Sequence, residues 1–110
     1  MEQSLSTRLA QQIGGPRDGA LLRFSIGNAL LAENKPGEAA EAFRAALEFD
    51  PRYSAAWKLL GQAQASAGDV PAAIETYERG IAVAEERGDK QAAKEMAVFL
   101  RRLRKPPPRP

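Results

Sequence analysis

Cysteine and histidine are both absent from the 110 residues. The first absence excludes disulfides and thiol nucleophiles, and the pair together excludes imidazole bases and most zinc sites. Side-chain chemistry is left to oxygen groups and cations. Long apolar runs are missing too, since no stretch approaches the ~20 apolar residues that a membrane span requires. The opening Met1-Glu2-Gln3-Ser4-Leu5-Ser6 has neither a basic segment nor an apolar core of the secretory kind. These absences lead us to expect a soluble, unexported, cytoplasmic protein whose core is small for its surface.

Charge is nearly balanced at +2, but unevenly spread. Residues 101–110 hold Arg101, Arg102, Arg104, Lys105 and Arg109 and no acid. The first hundred residues therefore carry 11 basic and 14 acidic groups, a net of −3. On the sequence alone, the basic character belongs to the last ten residues rather than to a face of the fold.

What the chain does contain is helical periodicity, and it contains it twice. Leu5, Leu9 and Ile13 stand four apart behind Ser4 and Ser6, which predicts a short N-terminal helix over 3–13 broken by Gly14-Gly15-Pro16, with Asp18 as a cap for the next helix. From about Gly19 to Glu33, Leu22, Ile26, Ala29 and Leu30 share one side and Leu21, Phe24, Asn28 and Leu31 another. Asn34-Lys35-Pro36-Gly37 is expected to turn the chain. Ala39, Ala42, Phe43, Ala46 and Leu47 then recur at i, i+3, i+4, i+7 and i+8, until Asp50-Pro51 stops the helix.

Thirty-four residues on, the pattern returns. Ile26 falls on Leu60, Gly27 on Gly61, Ala29 on Ala63, Ala39 on Ala73, Glu41 on Glu75 and Phe43 on Tyr77. Two glycines in mid-helix each cost about 1 kcal/mol against alanine. Their recurrence predicts a close helix approach, with small Ala39 and Ala73 opposite and Phe43 and Tyr77 filling space toward the next helix. Gly68-Asp69 turns the second copy and Pro71 suits a first helical turn. Gly88 ends its second helix and Asp89 caps a last one over 89–104, whose apolar stripe is Ala92, Ala93, Met96, Phe99, Leu100 and Leu103. The thirty-four-residue register fails there, since Gly61 would fall on Glu95, so this helix reads as a cap rather than a third repeat.

The period and the order Trp57-x-x-Leu60-Gly61, Ala73-x-x-x-Tyr77 resemble the tetratricopeptide repeat. The resemblance spans about residues 20–87. It implies an all-α fold, a right-handed α-α superhelix of two helix-turn-helix repeats, 20–53 and 54–87, between N-terminal and C-terminal capping helices. Residues 1–105 would form one domain, with 106–110 as an extended, disordered proline-rich tail. Arg23 stands where the second copy has Trp57, and repeat two lacks a proline answering Pro51.

The resemblance further implies a scaffold that binds a peptide or partner helix in a concave groove lined by the first helix of each repeat. Carried over by register, the groove positions are Leu21, Phe24, Asn28 and Leu31, then Ala55, Lys58, Gln62 and Ala65, with Met96 and Phe99 extending it. Asn28, Lys58 and Gln62 can meet a peptide backbone or carboxylate, and Phe24 and Leu31 supply apolar contact. The lysine-rich clamp of chaperone-binding members is not matched, because Phe24 occupies the place of its first lysine. Against the groove stands the plainer reading that Asn28, Lys58 and Gln62 are solvated surface and that Phe24 packs on Leu5 or Leu9.

Other classes leave weaker marks. A short array can self-associate through uncovered helix faces, giving a homodimer. The basic tail could touch nucleic acid phosphate, but it holds no aromatic to stack a base and the body's charge opposes a broad contact. Arg104-x-x-Pro107-x-x-Pro110 loosely fits polyproline recognition. No carboxylate pair is placed in an apolar cleft by spacing and no phosphate-loop glycine pattern occurs, so we expect no enzyme, no metal and no cofactor.

Overall fold

The computed structural model describes residues 2–105. Six α-helices succeed one another: α1 Leu5–Ala10, α2 Ala20–Ala32, α3 Pro36–Phe49, α4 Ser54–Ser66, α5 Val70–Arg87 and α6 Lys90–Arg104. No strand occurs among the described residues. Each helix packs on the one before it, and α6 also touches α4. This is an all-α repeat array, α2–α3 and α4–α5 being its two hairpins; residues 106–110, expected to form a tail, lie outside the described residues.

The two hairpins share their turns as well as their helices. Lys35 N–H reaches back to the Leu30 carbonyl at 2.8 Å, and Asp69 N–H to that of Gln64 at 2.9 Å, thirty-four residues later. Both bonds need a left-handed residue just before the donor, supplied by Asn34 (φ 61°) and Gly68 (φ 89°). Asn and Gly are the two residues that adopt this conformation most readily. Gly88 (φ 78°) repeats the device between α5 and α6, where Asp89 N–H bonds the Ala84 carbonyl at 2.8 Å. Asp69 and Asp89 then cap their helices by accepting from Ala72 and Ala92 N–H. Pro36 is the first residue of α3 rather than part of the turn, at a position where its missing N–H costs no helical bond.

The mid-helix glycines permit the expected close approach, but what stands against them is an aromatic ring rather than Ala39 or Ala73. A Cβ on Gly27 would lie 2.5–2.7 Å from the Phe43 ring, and one on Gly61 would lie 2.7 Å from Tyr77 Cδ1 and Cζ. Each glycine is thus a socket for the aromatic ring of the next helix, not a point where two backbones meet. Phe43 is wholly buried and Tyr77 nearly so, and burying such a ring contributes about 1.5–3 kcal/mol. Small residues with no exposed surface, Ala39, Ala46, Ala56, Ala63, Ala73 and Ala84, allow the helices to close around these rings. At the third junction the roles reverse. Gly80 on α5 makes room for Met96 of α6, whose sulfur would sit 2.6 Å from an added Cβ.

The N-terminal helix is shorter than 3–13. Ser4 caps it by accepting from Thr7 N–H at 3.2 Å, and after Ala10 the chain continues in i→i−3 turns to Gly14. Leu9 packs on the core, but Leu5 and Ile13 stay exposed. A polar clamp holds the helix as well, since Ser6 donates its N–H and hydroxyl to the Glu33 carboxylate of α2 at 3.1 and 2.7 Å. Asp18 does not cap α2, whose N-cap is Gly19. It accepts instead from Gly14 N–H at 2.8 Å and from Arg23 at 2.9 and 3.0 Å, tying the Gly-Gly-Pro turn to the helix it precedes.

Candidate functional site

The two sides assigned to α2 separate as their spacing predicts. Leu22, Ile26, Ala29 and Leu30 are buried, whereas Leu21 is 70 % exposed and Asn28 lies in solvent. Phe24 and Leu31 are half-buried on the same stripe. Phe24 has aromatic partners from beyond α1. Its ring stacks on Tyr53 with centroids 4.8 Å apart and tilts against Phe43 at 5.7 Å. Tyr53 was missed in the sequence because it precedes α4 and belongs to no helical stripe.

On α4, Gln62 is exposed and Ala55 and Ala65 are half-buried. Lys58 is not a free cation, because its Nζ lies 3.2 Å from Glu95 of α6. Met96 leaves the groove altogether. It has no exposed surface, being seated in the space at Gly80, so a partner cannot reach it. The reason is a turn of α6 about its axis: Glu95, not Met96, faces α4. Phe99 stays half-buried, with its ring 5.9 Å from Tyr77. The face that remains is Leu21, Phe24, Tyr53, Asn28 and Leu31, continued by Gln62 and the Lys58–Glu95 pair.

A second concavity lies on the opposite side, between α3 and α5 over α4. It encloses about 510 Å³ and is floored by Leu47, Leu60 and Trp57. Trp57 is 9 % exposed and donates Nε1–H to the Pro51 carbonyl at 2.9 Å, while Arg79 covers its ring at 5.4 Å. Deeper in, the buried Gln64 amide sits 2.6 Å from Thr76 Oγ1. The orientation that satisfies both its ends turns nitrogen to Thr76 and to the Ala72 carbonyl and oxygen to Arg44 Nη2. Among the described residues no buried side-chain nitrogen or oxygen lacks a partner, which marks a packed seam between repeats more than an open site.

The titrating groups are structural. Arg23 and the Gly14 N–H hold the Asp18 carboxyl down to about 2, and the Ser6 hydroxyl holds Glu33 below the usual carboxylate range. Burial pushes the Tyr77 phenol up to about 12. Among the described residues no cluster of three carboxylates could hold a metal ion, and no helix is long and apolar enough to cross a membrane.

Paired helices and ring sockets repeated at thirty-four residues define an all-α helical repeat fold. The chain belongs to the tetratricopeptide repeat family, whose model matches residues 24–92. It is 47 % identical over 103 residues to a TPR repeat-containing protein of Pseudomonas aeruginosa, with 94 % of each chain covered. A Bordetella parapertussis protein solved in solution is 42 % identical, with a TM-score of 0.79 over 93 % of this chain and 89 % of that one. A tetratricopeptide repeat domain protein from Salinibacter ruber is 26 % identical, with a TM-score of 0.72 over 81 % and 89 %. Members of the family are generally protein–protein interaction modules without catalytic activity.

Proposed function

We propose that the chain is a protein-binding scaffold that takes a peptide or partner helix along the inner face of α2 and α4. The observation that carries this is the stripe Leu21, Phe24, Asn28 and Leu31. It holds a leucine 70 % exposed and an exposed Asn28 beside a stacked aromatic pair. Exposed apolar side chains rimmed by amides are the composition of a recognition surface, the apolar groups giving affinity and Asn28 and Gln62 orienting a backbone. Lys58, already paired with Glu95, offers an incoming carboxylate an exchange of partners rather than an unpaired charge.

Affinity capture with the wild type and a Leu21→Glu, Gln62→Glu double variant tests this. Both positions are exposed, so the variant should keep the parent's thermal melt. Loss of the captured protein with an unchanged melt supports the inner face, and equal capture by both refutes it.

A further inference from the structure

The basic character is not confined to the last ten residues. Lys90, Lys94, Arg101 and Lys105 recur at i, i+4, i+11 and i+15, and all are exposed. At 100° per residue Lys90, Lys94 and Arg101 form one stripe along α6, with Lys105 just past its end. None has a carboxylate within 4.0 Å among the described residues; the ion pairs there use other side chains. Helix-end electrostatics account for Arg101 and Arg102 in the last turn but not for Lys90 and Lys94, which sit at the end where the dipole disfavours cations.

Beside this stripe runs a groove of about 270 Å³ between α5 and α6, floored by Ile81, Ala93 and Ala97 and rimmed by Glu85, Lys90 and Lys94. Its place in the array is informative. Ile81 answers Leu47 at the repeat spacing of thirty-four, while Lys90, Ala93 and Ala97 answer Trp57, Leu60 and Gln64 of α4 at thirty-three, the slip that turns α6. Those counterparts line the concavity over α4, of which α5 forms one wall. One repeat earlier a further helix, α5, packs on α4 beside those residues, and here no helix of the described chain packs on α6 in the corresponding place.

We propose that this groove docks an acidic amphipathic helix of a partner protein, a surface separate from the inner face of α2 and α4. The array calls for a helix, because α5 packs on α4 at the corresponding place. At the same spacing of thirty-three, Lys94 stands where α4 has Gly61, so a helix bringing an aromatic to a glycine socket, as α5 does, has no place to put it. Carboxylates directed at Lys90, Lys94 and Arg101 and small apolar side chains over Ala93 and Ala97 fit instead. A nucleic acid gains little, since the stripe offers no exposed aromatic for stacking and the rest of the body is acidic. A lipid surface finds no apolar face to receive, because that face of α6 is already in the core.

The probe is a helical peptide of about 18 residues, five turns, with alanine and leucine on one face and glutamate beside them. It is compared by fluorescence anisotropy with its lysine-for-glutamate counterpart, a DNA duplex and phosphatidylserine vesicles. Saturable binding of the acidic helix alone is expected, weakened about tenfold by Lys94→Glu and similarly by Ala97→Arg, and unchanged by Leu21→Glu. Lys94→Glu exchanges one exposed helical side chain for another, and circular dichroism confirms its fold. The proposal is overturned by absence of saturable binding, by equal binding of the lysine peptide, or by preference for DNA or vesicles. It is equally overturned if Ala97→Arg leaves binding intact, or if that variant dissolves a dimer seen in sedimentation, which would assign the groove to a second copy.

Discussion

Replacing Gly61 by alanine adds one carbon, and the structure says what that carbon meets. It would lie 2.7 Å from two atoms of the Tyr77 ring, about 1 Å inside ordinary contact for carbon. The ring cannot swing away, because Tyr77 is 2 % exposed and Phe99 packs against it at 5.9 Å. Overpacking costs about 1–3 kcal/mol, and a contact this short with a buried ring belongs at about 2–3 kcal/mol, against a helix-propensity gain of about 1 kcal/mol for removing a mid-helix glycine. The result is a net loss of roughly 1–2 kcal/mol, seen as a fall in melting temperature of roughly 4–15 °C for a domain of this size. Gly37→Ala is the internal contrast. A Cβ there meets nothing within 4 Å, so the same substitution should leave the melt unchanged or raise it slightly. Denaturant titration of both variants, with Tyr77→Leu added to Gly61→Ala as a double-mutant cycle, measures the coupling. A Gly61→Ala protein as stable as the parent, or a cycle with no coupling, would refute the socket.

Trp57→Ala removes the largest side chain from the seam between repeats and should cost about 3–5 kcal/mol, leaving the protein largely unfolded at ambient temperature; a cooperative melt near the parent's would contradict this. Tyr77 is favoured in its protonated form by folding. Its contribution is therefore full below about pH 10, the unfolded value, and is lost as pH rises toward about 12, at about 1.4 kcal/mol per pH unit. Tyr77→Phe should flatten that alkaline limb of a chemical-denaturation series, and an unchanged limb would assign it elsewhere. Asp18 and Glu33 act in the opposite sense, since depressed carboxyls stabilise above their unfolded values near pH 4 and the contribution disappears as pH falls, toward about 2 for Asp18. Asp18→Asn and Glu33→Gln should each shallow the acid limb, and Glu33→Gln should also raise amide exchange in α1 without affecting α4.

The helices were legible because apolar spacing, glycine and proline all agreed, and the thirty-four-residue coincidence of Gly27 with Gly61 and Phe43 with Tyr77 marked one packing device used twice. What that device does was not legible. One residue per helix states that two surfaces come close, but not whether a backbone or a ring fills the space. Both turns were legible, but the equivalence of Asn34 with Gly68 was not, because the two residues share a backbone conformation rather than a letter. Leu21, Asn28 and Gln62 are exposed, as their spacing suggested. Lys58 and Met96 differ for one reason, the turn of α6, which brings Glu95 to Lys58 and sends Met96 into Gly80. Interhelical rotation is set by side chains far apart in sequence, and the two-residue Gly88-Asp89 link in place of the four residues before α4 was the one local hint. The basic face of α6 was hidden similarly, by counting charges along the chain instead of around the helix.

The proton shifts of the two socket glycines test most directly whether residues 20–53 and 54–87 are one hairpin built twice. With rings of Phe43 and Tyr77 held against them, the Gly27 and Gly61 α-protons should both lie well upfield of their unfolded positions, each with cross-relaxation to its own ring, while those of Gly37 stay unshifted. An ordinary shift at either Gly27 or Gly61 would mean that the two copies do not share their packing, and the repeat account would fail.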